Sequence, residues 1–184
     1  MKVLCVAGMP GCGKEEFLRV AAEHGFTIVR MGDVVREEAA KRGIGTSDDA
    51  IGGFAHTERE RSGFGIWAER TLPRITGERV VIDGLRGSME LDVFRKHLGE
   101  SIQVVAIHAA PKVRFERLRA RNRSDAPTTW EEFRVRDIRE LRWGLGDVIA
   151  TADYMIVNEG ELGSFRARAR EVMESVLGGA SHVP

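Results

Sequence analysis

The sequence predicts a single α/β domain in three layers, built on a five-stranded parallel sheet, and three observations carry that prediction. Short apolar runs alternate with amphipathic stretches from residues 3–7 to residues 153–157, as a series of βαβ units requires. The runs are continuously apolar instead of alternating, the pattern of strands covered on both faces. A glycine-rich turn, Gly8-Met9-Pro10-Gly11-Cys12-Gly13-Lys14, joins the first run to the first helix. At 184 residues the chain, read as one domain over 1–184, can bury a sizeable core but is too short for two full domains. Lys and Arg together number 28 and Asp and Glu 28, so no global charge points to a nucleic acid or a membrane. Cys5 and Cys12 stand too close on one turn to form a useful bridge, which makes the cytoplasm the expected compartment. No apolar run approaches membrane-spanning length.

Each element is justified by local signals. After the first strand and the glycine turn, Phe17, Leu18, Ala21 and Ala22 recur at helical spacing until Gly25 stops the helix. Residues 26–30 read as a second strand, and Met31-Gly32-Asp33 as a glycine turn into a helix that carries Arg36 one turn inside. Residues 43–73 are helical but polar, with Ser47-Asp48-Asp49 as an N-terminus and Gly52-Gly53 weakening the helix after them. With no strand to cover, this region predicts a mobile flap over about residues 31–74. Arg79-Val80-Val81-Ile82-Asp83 is the third strand, ending in a carboxylate. Ser88 is expected to cap the next helix, whose Leu91, Phe94 and Leu98 face inward. Residues 102–108 form the fourth strand and lead to a helix opened by Pro111. A break at Arg123-Ser124-Asp125-Ala126-Pro127 precedes a second helix, for which Thr128 and Glu131 supply a capping box. These two helices, about residues 112–142, concentrate nine arginines into a predicted lid. Residues 153–157 are the fifth strand, Asn158-Glu159-Gly160 a turn, and Leu162, Phe165, Ala169, Val172 and Val176 one face of a closing helix.

The chemistry starts at the glycine turn. Its backbone N–H groups, a helix N-terminus and Lys14 converge on one small volume, which suits a polyphosphate. Gly, four residues, then Gly-Lys is the Walker A spacing, with Glu15 where a Mg²⁺-ligating Ser or Thr usually stands. A tight turn with an incidental lysine is the plainer account of the same residues. Gly8, Met9, Pro10, Gly11, Cys12, Gly13, Lys14 and Glu15 are therefore the candidate nucleotide-binding residues. Asp83, at the carboxyl end of a central strand, stands where an acid orients Mg²⁺, and with Glu15 it forms the candidate metal pair. Asp33 reads either as a helix cap or as a ligand for a metal or substrate hydroxyl. Arg86 is aimed at the same sheet edge. Arg36, Arg59 and the lid arginines read either as solvated charge or as phosphate grips, and in the lid their density exceeds what local carboxylates can neutralise. The histidines show no metal-ligand spacing, and Trp67, Trp130 and Trp143 read as packing residues.

Taken together, these motifs resemble the nucleoside monophosphate kinase branch of P-loop proteins over nearly the whole chain. Gly8, Pro10, Gly11, Gly13 and Lys14 match the adenylate-kinase loop GxPGxGK. Gly32-Asp33-Val34-Val35-Arg36 is similar to that family's Gly-Asp-x-x-Arg, whose arginine contacts the acceptor's phosphate. Asp83-Gly84 is similar to its Asp-Gly, although Leu85-Arg86-Gly87 replaces the Pro-Arg expected next in that family. The stretch from Arg117 to Arg136 looks like the arginine-bearing lid without zinc cysteines. Residues 152–160 look more like dephospho-CoA kinase, where this turn borders the adenine, which implies nucleotide contacts for Asn158 and Gly160. The whole chain most resembles the archaeal family described as adenylate-kinase-related or dephospho-CoA-kinase-like.

The resemblance implies a P-loop kinase with ATP and Mg²⁺ as cofactors and a small phosphorylated or nucleotide-like acceptor. Lys14, Asp33, Asp83, Arg121, Arg123 and Arg136 are the catalytic candidates. Asp33, Arg36, Arg59 and Arg86 are the candidates for holding the acceptor. The competing expectation is a nucleotide-gated ATPase acting as an assembly or RNA-processing factor, with the residue 114–142 surface facing a phosphate backbone. Few aromatics interleave those arginines, so nucleic acid is the less favoured partner. A third reading is a relic that binds nucleotide without turning it over.

Overall fold

Residues 4–7 are wholly shielded from solvent, and the strand that contains them, β1 (Lys2–Ala7), accordingly sits at the centre of the sheet. The computed structural model describes residues 1–99, 102–121 and 126–178. The other strands are β2 (Thr27–Arg30), β3 (Arg79–Asp83), β4 (Gln103–His108) and β5 (Tyr154–Val157). They lie in the order β2-β3-β1-β4-β5, and every pairing is parallel. Alternation along β1 sends Val3, Cys5 and Ala7 to one core and Leu4 and Val6 to the other.

The first core receives α2 (Met31–Lys41), α4 (Ile66–Thr71), α5 (Ser88–Leu98) and α8 (Leu145–Ala150). The second receives α1 (Lys14–Glu23) and α9 (Leu162–Gly178). The remaining α-helices are α3 (Asp48–Ser62), α6 (Pro111–Ala120) and α7 (Trp130–Arg142). The result is the predicted three-layer P-loop fold with its five-stranded parallel sheet. The chain reverses its direction of growth at β1, so the crevice at the carboxyl ends of β1 and β3 is where a ligand site belongs.

Several local expectations need correction. Helix α2 begins directly after β2 without a turn, so Gly32 and Asp33 lie in its first turn, and Asp33 accepts from Arg36 at 2.5 Å instead of capping. The α5 cap is not Ser88 but Gly87, where a Cβ would run into the Trp143 carbonyl. Buried Glu90 serves that N-terminus by accepting the Arg86 N–H at 2.7 Å. The capping box before α7 is one residue later than expected: Thr129 Oγ1 accepts from the Glu132 N–H at 3.2 Å, and Glu132 reaches back to the Thr129 N–H. Ala22 and Leu162 face solvent, and α8 is an element the sequence pattern does not announce.

The flap is not loose throughout. Trp67 on α4 is fully buried, donates its indole N–H to the Ala55 carbonyl at 3.1 Å, and meets Phe54 edge to face. This anchor fastens α3 and α4 to the sheet's first core, which the polar composition of the region concealed.

Candidate active site

The phosphate loop is built by glycines that only this geometry requires. Gly13 has φ 104°, a left-handed conformation that β-carbon-bearing residues avoid, and a Cβ there would collide with the Asn158 amide. Gly8 approaches the Ile107 carbonyl of β4 so closely that a Cβ there would meet it at 2.5 Å. Asn158 is a buried strap that donates from Nδ2 to the Cys12 carbonyl at 2.8 Å while its own backbone N–H bonds the His108 carbonyl. It supports the loop from behind. Gly160 is exposed beyond it.

Lys14 opens α1, and its ammonium donates to the Gly8 carbonyl at 2.5 Å. Next to it Glu15 faces solvent and is held by Arg30, the last residue of β2, through two bonds of 3.0 and 3.1 Å. The same guanidinium donates to Asp83 Oδ2 at 3.1 Å. Register explains this meeting, because Arg30 is paired directly opposite Asp83 across β2 and β3. Burial alone would lower the Arg30 guanidinium, but Glu15 and then Asp83 hold it above its ordinary value. Asp83 Oδ1 is buried and has no hydrogen-bond partner among the described residues. An all-oxygen pair with one such open atom fits a hard divalent cation such as Mg²⁺.

Two cavities open onto these groups. The larger, about 350 Å³, has an apolar floor that includes Val35, Trp67 and Trp143. Arg36, Arg59, Arg86, Arg136 and Arg139 add five cations to its wall. The smaller, about 160 Å³, lies against Pro10 and Gly11 and includes Arg121. Lys14, Arg86 and Arg136 line both.

The arginines divide into distinct groups. Arg114 is buried, with a two-toothed pair to Asp137 and a bond to the Pro10 carbonyl, so it is a strut between lid and loop. Trp130 and Phe133 stack on each other beside it, and Phe115 of α6 meets Trp130 edge to face and Phe133 at a tilt, which pins α6 to α7. Arg59 is likewise buried, paired with Glu90 at 3.0 Å and lying 4.6 Å over the Trp143 ring. Its burial and its pairing with Glu90 correct the reading of Arg59 as solvated charge, while the residue still lines the larger cavity. Burial pushes the Glu90 carboxyl up, against the pull of Arg59. Arg86 pairs through Nε with buried Glu140 at 2.9 Å, and its Nη1 is buried with no hydrogen-bond partner among the described residues. Burial would lower this guanidinium too, but Glu140 and then Asp83 hold it above its ordinary value.

Of the predicted site residues, the fold thus brings Pro10, Gly11, Lys14, Glu15, Asp83, Arg36, Arg59, Arg86, Arg121 and Arg136 to the two cavities, while Gly8, Met9, Cys12 and Gly13 shape the loop without lining either. Asp33, tied to Arg36, lines neither, and neither do Asn158 and Gly160. Arg123 lies outside the described residues. Sequence reasoning missed Arg30 and Glu140. The only signal for Arg30 was a cation ending a strand next to the one that ends in Asp83, and Glu140 had none.

A family pattern described as an AAA domain matches residues 7–134. A UPF0200 protein of Hyperthermus butylicus is 46% identical over 179 residues, covering 96% of this chain and 95% of that one. A second, from Thermoplasma acidophilum, is 50% identical over 172 residues, covering 93% and 94%. Among solved structures, a gluconokinase from Sinorhizobium meliloti is similar with a TM-score of 0.55 at 16% identity, covering 97% of each chain. Shikimate kinase from Acinetobacter baumannii, in complex with shikimate, is similar with a TM-score of 0.58 at 17% identity, covering 97% and 94%. At such identities the likeness to these two structures is one of fold.

Proposed function

The chain belongs to the UPF0200 family and carries an AAA domain, and from that premise we propose that it is an ATP-dependent phosphotransferase acting on a small anionic acceptor. The observation that carries this reading is that Lys14, Arg86 and Arg136 line both cavities, so a donor in one and an acceptor in the other meet over shared positive charge.

The nucleotide's phosphates lie in the smaller cavity, against the loop at Gly11 and Lys14. Lys14 exchanges the Gly8 carbonyl for phosphate oxygens. Asp83, with Glu15 once Arg30 releases it, would hold Mg²⁺, which supplies charge neutralisation at the phosphates when bound. The acceptor occupies the larger cavity with its anionic group toward Arg36 and Arg86 and its body against Trp143 and Val35. Arg59 acts behind them by fixing Trp143 and Glu90. Phosphoryl transfer asks the protein mainly for in-line positioning, charge stabilisation and exclusion of water. Arg121 and Arg136, carried on the lid, meet the second and third needs as the lid settles. The motif resemblance makes a nucleoside monophosphate or dephospho-CoA the first acceptors to try, and the structural neighbours add shikimate.

The test is ADP release from Mg-ATP by the purified protein, with and without each acceptor. One acceptor is expected to raise ADP release at least tenfold over the basal rate, and Lys14→Ala to abolish the increase. If no acceptor stimulates ADP release while the protein binds RNA in a salt-sensitive manner, the phosphotransferase reading is wrong and the assembly-factor reading replaces it.

A further inference from the structure

The Glu15–Arg30–Asp83 group is the part of the site that a phosphate-loop mechanism does not by itself explain. Its two carboxylates stand where a divalent cation would be bound, but a guanidinium is bonded to both. The arrangement is fixed by the fold. Arg30 is placed by its strand register opposite Asp83, and its side chain is only one-third exposed. Its fork geometry lets one guanidinium grip Glu15 with two nitrogens and still bond Asp83, a two-toothed hold that an ammonium does not reproduce. Lys14 does not compete for these acids, since it is drawn back onto the Gly8 carbonyl.

We propose that Arg30 is the built-in counter-cation of the phosphate site, bridging Glu15 and Asp83 so that the pair accepts a divalent metal only when the bridge opens. This deepens the phosphotransferase reading and rests on it. Arginine stays protonated throughout the usable pH range, so the bridge opens by displacement and not by titration. A dication together with nucleotide phosphates offers the carboxylates a stronger partner, and offers the guanidinium phosphate oxygens to move to. Arg30, Glu15 and Asp83 all line the larger cavity, so the displaced side chain has space beside the acceptor. Arg30 is on this account a positioning residue. It sets how tightly the empty enzyme holds metal, and it makes metal entry depend on the nucleotide.

The test measures metal alone, with no turnover required. Mn²⁺ is titrated into the nucleotide-free full chain and the free aquo-ion is monitored by electron paramagnetic resonance. Arg30→Gln is expected to tighten Mn²⁺ binding at least tenfold over the parent. Arg30→Lys, which keeps the charge but loses the two-toothed fork, is expected to fall between. Adding Asp83→Asn to Arg30→Gln is expected to remove the gain. In the parent chain, the Arg30 guanidinium resonance in the NMR spectrum is expected to shift on addition of Mg-ATP, as Glu15 and Asp83 are exchanged for phosphate oxygens. The proposal is overturned if folded Arg30→Gln and Arg30→Lys bind Mn²⁺ no more tightly than the parent, or if saturating Mg-ATP leaves the Arg30 guanidinium resonance unmoved. A fluorescent ATP analogue titrated into the parent and Lys14→Ala separates the two readings. Equal affinity there would sink the phosphate cradle itself, whatever the Mn²⁺ result.

Discussion

Arg114 and Asp137 form a two-toothed ion pair, with bonds of 2.8 and 2.5 Å, that joins α6 to α7. The same guanidinium donates to the Pro10 carbonyl at 3.1 Å, which makes the lid's root and the phosphate loop one rigid unit. Removing one partner of such a buried pair leaves the other charge uncompensated, at a cost of about 3–5 kcal/mol. Arg114→Ala is expected to lower the unfolding free energy by about that amount in a urea titration, and Asp137→Asn by less, because its amide oxygen still accepts. If Arg114→Ala unfolds like the parent, the strut is decorative.

Lys14 is partly exposed, and among the described residues its one close bond is to a carbonyl of its own loop. Lys14→Ala should therefore leave the melting temperature within a degree or two of the parent's. It should weaken ATP binding about 10- to 100-fold, the loss of one or two charge-assisted bonds worth about 1.5–3 kcal/mol. Calorimetry on the two proteins side by side checks both halves of the statement.

Trp67 is the anchor of the flap, fully buried with its indole N–H bonded to the Ala55 carbonyl. Trp67→Ala is expected to cost about 3–5 kcal/mol through the cavity it leaves. It should also raise the backbone exchange rates of α3 and α4 more than those of α1. Uniform protection loss across the sheet would show that the flap is not a separate unit.

Glu58 accepts from Arg42 and from Arg70, each at 2.6 Å, and these bonds hold its carboxyl below the ordinary value of 4.5. A carboxylate whose folded value is depressed stabilises the protein above its unfolded value, and that contribution disappears as the pH falls through the folded one. Between about pH 6 and 3, the melting temperature of the parent should therefore fall more steeply than that of Glu58→Gln. Parallel curves would remove Glu58 from the acid response. Cys5, pushed up to about 12 by burial, is expected to stay unreactive to thiol reagents across the same series.

The placement of Lys14 and Asp83 at one cavity was legible because its signals are local. A glycine spacing and an apolar run ending in an acid are each contained in a few consecutive residues. The Arg30–Asp83 meeting was not, because it depends on which strands neighbour one another and in what register, which no local pattern encodes. The capping residue before α7 was misplaced by one because Thr128 and Thr129 both precede a glutamate at the required spacing; packing of Trp130 against Phe115 and Phe133 accompanies the choice of Thr129. Helix α8 was missed because six residues containing a glycine carry too little periodicity to register. Arg59 and Arg114 read either as solvated charge or as phosphate grips, and neither reading anticipates a buried ion pair, since nothing local to either arginine announces that Glu90 and Asp137 will meet it in the interior.

The shared wall of the two cavities has one more consequence. Because Lys14, Arg86 and Arg136 border both, the two chambers adjoin, and on the phosphotransferase reading a molecule long enough to pass these three side chains would reach from one into the other. A nucleoside tethered through a polyphosphate to the right acceptor would bring its second half to the protein at a high effective concentration. It should outbind either half alone by about 10²–10⁴. Such a hybrid ligand, varied at its far end, would report the chemistry of the natural acceptor through affinity alone.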